Sequence, residues 1–183
     1  YPFVLGAVGE TIVGIIATGD TFQAWDLRTD TRIGPPLPAG VEQHAPAGVD
    51  SLALADVDGI PIMCSTLFEA PEIVFTDLRT GLPSGGPVRP ANAPISKLTS
   101  AVIDGAPVVV AVHRDGKVSR HDVRTRQPLG PPVEIADIST LFPPDVAYLG
   151  DRPCLVIQPG LKVTERAVWD ARTGKELHTY TLA

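Results

Sequence analysis

The chain has little of what reactive, cross-linked or membrane-spanning proteins need. Its two cysteines, Cys64 and Cys154, stand in apolar runs, and no CxxC occurs. Two cysteines in 183 residues make no disulfide framework. They read as buried free thiols, which favours a reducing compartment, and a cytoplasmic location is the expectation. Basic residues are outnumbered, 15 Lys and Arg against 21 Asp and Glu. A net charge of −6 lacks the footprint of a nucleic-acid binder, and no basic run suits an anionic membrane. No apolar run approaches the length of roughly 18 residues that marks a spanning helix. The residues 1–17 are apolar but lack a basic leader region and contain Glu10, so they read as structure rather than as a signal peptide. The one methionine is Met63, so Tyr1 is not a plain translation start and a fragment or processed product is expected.

Catalytic and cofactor signatures are also missing. There is no Gly-x-Gly-x-x-Gly, P-loop or Gly-x-Ser-x-Gly. The histidines His44, His113, His121 and His178 show no metal-ligand spacing. Asn92 is followed by Ala-Pro and makes no glycosylation sequon. No catalytic residue, metal or cofactor is assigned. No stretch shows sustained helical periodicity.

What is present is repetition. Asp-x-Arg-Thr occurs four times, starting at Asp26, Asp77, Asp122 and Asp170, in steps of 51, 45 and 48 residues. Such a period indicates a solenoid, propeller or array. A second marker precedes each copy: Asp58-Gly59, Asp104-Gly105 and Gly150-Asp151, with Gly9-Glu10 in the first unit. Asp-Gly between apolar runs signals a hairpin. Each unit resolves into four short strands, a to d, with proline (19) and glycine (17) between them. The repeated Asp suits an Asx-turn between strands c and d. Gly81 and Gly174 follow the Thr and supply positive φ, and Asp30 tolerates it. Arg126 stands there in the third unit, where a different turn or strain is expected.

The expected fold is therefore all-β: a propeller-like array of four four-stranded antiparallel blades, approximately 1–44, 45–93, 94–137 and 138–183, in one domain. The wording carries a family resemblance. Trp25-Asp26 and Trp169-Asp170 are WD dipeptides, and Thr21 to Thr29 resembles strand c and its turn in a WD40 repeat. Ala101 to Val110 is similar to the a–b hairpin of bacterial WD40 arrays, and Leu129-Gly130-Pro131-Pro132-Val133 to the strand d that follows. The pattern is degenerate. The opening Gly-His is missing, with His44 its nearest remnant, and Thr76 and His121 replace the tryptophan in units two and three. The resemblance implies a larger propeller of about seven blades, so further blades or a second chain would complete the ring, with closure as four blades the remaining alternative. It also implies a non-catalytic protein-interaction scaffold, with a propeller enzyme or small-ligand binder at the channel mouth as the alternative.

Strand alternation puts the a–b and c–d turns at one end and the b–c and d–a loops at the other. Arg28, Arg79, Arg124 and Arg172 then share an end with Asp58, Asp104 and Asp151, as solvated turn residues whose pairs would be exposed and weak. Length variation falls at the opposite end, where partner binding is expected. The candidate residues there are Glu42, Gln43 and His44 in the longest loop, and His113, Arg114 and Asp115 after a strand b, with Asp20, Glu69 and Lys162 nearby. A protein or peptide is the expected partner. Trp25 and Trp169 are expected to be structural.

Overall fold

A computed structural model describes residues 3–18, 20–38, 49–135, 144–158 and 165–181. Every regular element among them is a β-strand, and the strands form four antiparallel four-stranded sheets in sequence order. Blade 1 contains β1 (Phe3–Val8), β2 (Thr11–Thr18), β3 (Thr21–Asp26) and β4 (Thr31–Pro38). Blade 2 contains β5 (Val49–Val57), β6 (Ile60–Leu67), β7 (Val74–Asp77) and β8 (Leu82–Pro83). Blade 3 contains β9 (Ile95–Ile103), β10 (Ala106–His113), β11 (Lys117–Asp122) and β12 (Val133–Glu134). Blade 4 contains β13 (Asp145–Leu149), β14 (Arg152–Ile157), β15 (Glu165–Asp170) and β16 (Glu176–Thr181). The fourth strand of blade 3 lies later than expected. Pro128 makes only an isolated bridge to His121, because the prolines that follow offer no N–H to a ladder.

The a–b turns of blades 2 and 3 hold φ of 54° and 80° at Asp58 and Gly59, and 52° and 77° at Asp104 and Gly105. Positive φ at both positions is the type I′ geometry that matches strand twist. In each c–d turn the repeated Asp accepts a hydrogen bond from the Arg N–H two residues on. The distances are 2.9 Å at Asp26, 2.8 Å at Asp77, 2.7 Å at Asp122 and 2.8 Å at Asp170. The Thr hydroxyl closes the turn from the other side, accepting from the N–H of Leu82, Gln127 and Lys175 at 3.3 Å each. Arg126 keeps the same turn at φ 68°, against 73° for Gly81 and 68° for Gly174. Of the two outcomes expected there, the second holds: the turn is unchanged and left-handed strain is accepted.

The blades pack face to face around three apolar cores, one between each successive pair. The second residue of the repeated phrase is the plug. Its N–H donates to a strand-b carbonyl of its own blade: Leu27 to Ile12, Leu78 to Pro61, Val123 to Pro107 and Ala171 to Pro153. Its side chain turns towards the preceding blade. Leu78 and Val123 are 1% exposed and Ala171 0%. Leu27, with no described blade before it, is 44% exposed.

The arginine of the phrase reaches the same way. Arg124 of blade 3 grips Asp58 of blade 2 through Nε and Nη2, at 3.1 and 2.7 Å. Arg172 of blade 4 holds Asp104 of blade 3 at 2.7 Å. Blade 1 has Gly9 at the corresponding turn position, and Arg79 folds back onto its own Asp77 at 3.0 Å. Asp56 fastens that junction instead. Its carboxylate accepts from Gly9 N–H and Gly59 N–H, both at 2.7 Å.

The first strands of successive blades are neighbours, tied by side chains that satisfy edge backbone groups. Ser51 Oγ accepts from Leu98 N–H at 2.8 Å, Ser100 Oγ donates to Leu54 O at 2.6 Å, and Tyr148 Oη accepts from Val102 N–H at 3.1 Å. Both cysteines are buried and free.

Candidate protein-binding surface

The loop-rich end is built differently in blades 2 and 3, and the two structures meet. At the end of β6 the chain reverses through Phe68 and Glu69, with Ala70 N–H donating to Leu67 O at 3.0 Å. Glu69 sits at φ 61°, a left-handed conformation costly for a residue with a Cβ. The turn leaves Leu67 and Phe68 exposed. At the end of β10 the reversal runs through Arg114, Asp115 and Gly116, closed by Gly116 N–H to His113 O at 3.1 Å.

Arg114 joins the two turns. Its guanidinium pairs with Glu69 of blade 2 and lies over the Phe68 ring, 5.2 Å from the centroid. Its backbone N–H donates to Pro94 O at 3.0 Å, which ties the d–a connection into the same patch. Asp115 pairs with Lys117 at 2.9 Å. The hydrogen bond from Lys117 holds the Asp115 carboxyl below its ordinary value, and the same bond raises the Lys117 ammonium. The result is an exposed aromatic and an exposed Leu framed by charges of both signs. An amphipathic centre with a charged rim is the composition of a protein-interaction patch.

His113 requires a correction. It was expected in the binding loop, but it is the last residue of β10 and is fully buried. Nε2 pairs with Ser119 Oγ at 2.8 Å and Nδ1 contacts Ala93 O at 3.2 Å. It pins strands b and c of blade 3 to the d–a connection beneath Arg114. Burial lowers its pKa, and Ala93 O opposes that only in part. Blade 3 thus carries a buried His–Ser link between its strands b and c.

The other expected residues separate. Arg114, Asp115 and Glu69 come together; Asp20 is exposed on blade 1. Glu42, Gln43, His44 and Lys162 lie outside the described residues. Asp26, Asp77, Asp122 and Asp170 are turn caps at the opposite end. In Asp77 the Arg79 side chain holds the carboxyl low; in Asp26 the Arg28 N–H does so. In Asp170 burial pushes upward, and the N–H groups of Thr173 and Arg172 outweigh it. Trp169 packs against the third core, and Arg32 covers Trp25 at 5.3 Å.

Phe68 escaped the sequence reading. The available signal was an aromatic at a strand end, outside the alternation of its strand and directly before an acidic residue. Arg126 was read only as a turn residue, and its reach into the neighbouring blade was not. Its guanidinium crosses into blade 2, lies 3.8 Å from the Phe75 centroid and donates to Ser84 O and Ser84 Oγ. Burial lowers its pKa.

The channel side offers a cavity of about 260 Å³ lined by first-strand residues of all four blades, including Leu5, Leu54, Ser100 and Tyr148. Among the described residues no group of three His, Cys, Asp or Glu side chains could hold a metal ion.

No protein-family model and no curated protein matches the sequence. Solved structures do match. The computationally designed Ika8 protein aligns with a TM-score of 0.55 at 18% identity, over 98% of this chain and 48% of its own. The β-propeller domain of Myceliophteria thermophila Cps50 (Swd1) aligns with a TM-score of 0.57 at 14% identity, over 100% of this chain and 56% of its own. The fold is that of a β-propeller. The chain spans about half the length of the solved structures it matches.

Proposed function

We propose that this propeller arc is a non-catalytic scaffold whose loop-rich end binds a protein or peptide. The observation that carries the reading is the Phe68–Arg114–Glu69 cluster, which spans two blades and presents an aromatic in a charged frame. The rigid base beneath it, His113 bonded to Ser119, keeps the ordering cost of binding low. The acidic net charge and the lack of a basic stripe favour a protein partner over nucleic acid or an anionic membrane. Two buried thiols, and no disulfide among the described residues, support a reducing, cytoplasmic setting.

The test is affinity capture from host extract with wild type, Phe68→Ala and Arg114→Glu. A partner held by this patch is weakened at least about 30-fold by either change, the loss of a hot-spot residue, with the melting curve unchanged. A partner retained equally by both variants places binding elsewhere.

A further inference from the structure

Blade 3 departs from the repeat at three places, and all three line one cavity. His121 stands where Trp25 and Trp169 stand in blades 1 and 4. Arg126 stands where Gly81 and Gly174 follow the repeated phrase, and it holds a φ of 68° that a side chain makes costly. Pro128, Pro131 and Pro132 offer no N–H to a ladder, so β12 is only two residues long and a single bridge, Pro128 to His121, precedes it. Between this stretch and Val88 and Arg89 of blade 2 lies a cavity of about 530 Å³, within the size range of small-molecule sites. A strained backbone position is a pointer to function where its side chain has a site to serve.

The cavity is uneven in charge. No Asp or Glu lines it. Arg89 is answered by Glu72 at 2.8 Å. Arg126 is half-buried, and no carboxylate pairs with it among the described residues. The nearest acid in sequence, Asp122, is engaged in its own turn, accepting from the N–H groups of Arg124 and Thr125 at 2.7 Å each. The Phe75 ring and Ser84 hold the Arg126 guanidinium in place through one face and Nη2, while Nη1 is buried with no hydrogen-bond partner. His121 is 6% exposed, and its Nδ1 is unpartnered in the same way. Burial lowers its pKa, and the neutral ring still carries one N–H. A half-buried cation and a buried imidazole left without an acceptor are both costly, and one anion between them answers both.

We propose that this cavity binds a small organic monocarboxylate, whose carboxylate accepts hydrogen bonds from the Arg126 guanidinium and the His121 ring and whose apolar body lies against the prolines. One unanswered positive charge suits a singly charged acid; a phosphate dianion would bring charge that nothing lining the cavity neutralises. The site shares no residue with the Phe68 patch, so it stands or falls separately from the scaffold reading.

The experiment titrates the full chain with benzoate and follows the backbone amide resonances of His121, Arg126 and Val88. Benzoate shifts them saturably, with a Kd on the order of 1 mM, as a ligand of that size allows. Benzamide, its neutral isostere, binds at least about tenfold more weakly, the loss of a charge-assisted hydrogen bond. Arg126→Gly weakens benzoate by a similar factor and still folds, because glycine already holds that place in blades 2 and 4. His121→Phe keeps a buried ring, removes its N–H, and weakens benzoate likewise with the circular dichroism spectrum unchanged. Four results overturn the proposal: no saturable shift in wild type, benzamide bound as tightly as benzoate, benzoate affinity unchanged in a folded Arg126→Gly or His121→Phe, or inorganic phosphate bound more tightly than benzoate, which makes this a phosphate site. If neither variant folds, the comparison of benzoate with benzamide on wild type decides.

Discussion

Leu27 and Leu78 are the same residue type at the same place in successive blades, and only the neighbour differs. Leu78 is sealed against blade 1, whereas Leu27 faces outward. Leu78→Ala therefore removes buried methyl groups and leaves a cavity, at about 2–5 kcal/mol. Leu27→Ala costs under about 1 kcal/mol, since an exposed side chain has little transfer energy to lose. Urea denaturation of the two variants checks the contrast, and equal losses would contradict the packing described. The Cys64 thiol makes a second residue-scale prediction. Burial pushes its pKa up to about 12, so it carries almost no thiolate at neutral pH. Cys64 should react with a thiol reagent only when denaturant unfolds the chain; rapid labelling of the native protein would show that the β6 core opens.

At the scale of elements, the c–d turn of one blade rests on the last strand of the blade before. Gly34 of β4 has φ 62°, and a Cβ there would stand 2.0 Å from Leu78 O in the blade 2 turn. Gly59 has φ 80° and open space around it. Gly59→Ala pays left-handed strain alone, roughly 1–2 kcal/mol. Gly34→Ala pays that and must also displace the neighbouring blade, so its melting temperature falls further; equal shifts would mean that the blades do not touch there. This scale also shows what the sequence could convey. The Asp cap and the left-handed residue after the Thr were legible because they act within a few consecutive residues. The back-reaching roles of the Leu and the Arg were not, because they depend on which residue of another blade lies opposite. His113 was misplaced because Arg114-Asp115-Gly116 announces a turn, and nothing local says that the strand ends one residue before it. Phe68 was missed because the repeat drew attention to positions that recur, and a binding residue belongs to those that do not.

For the whole molecule, protonation acts in one direction. His113 and His121 are buried, and burial lowers both below the ordinary imidazole value of 6.5. The unfolded chain therefore binds protons there before the folded chain does. This stability is present in full above about pH 6.5 and is lost as pH falls from there through the lowered folded values. Asp26, Asp77 and Asp170 also have lowered values, so their share is present above the ordinary 3.8 and goes as pH falls through the folded values. Urea midpoints should fall between pH 7.5 and 5.5, with a smaller fall in His113→Gln, whose amide can still bond Ser119; an unchanged slope would mean that His113 is not the proton acceptor. The repeated phrase has one more consequence, for synthesis. Leu78, Val123 and Ala171 pack towards the blade encoded before their own, and Arg124 and Arg172 pair with its carboxylates. On a ribosome each of these contacts finds its counterpart already made.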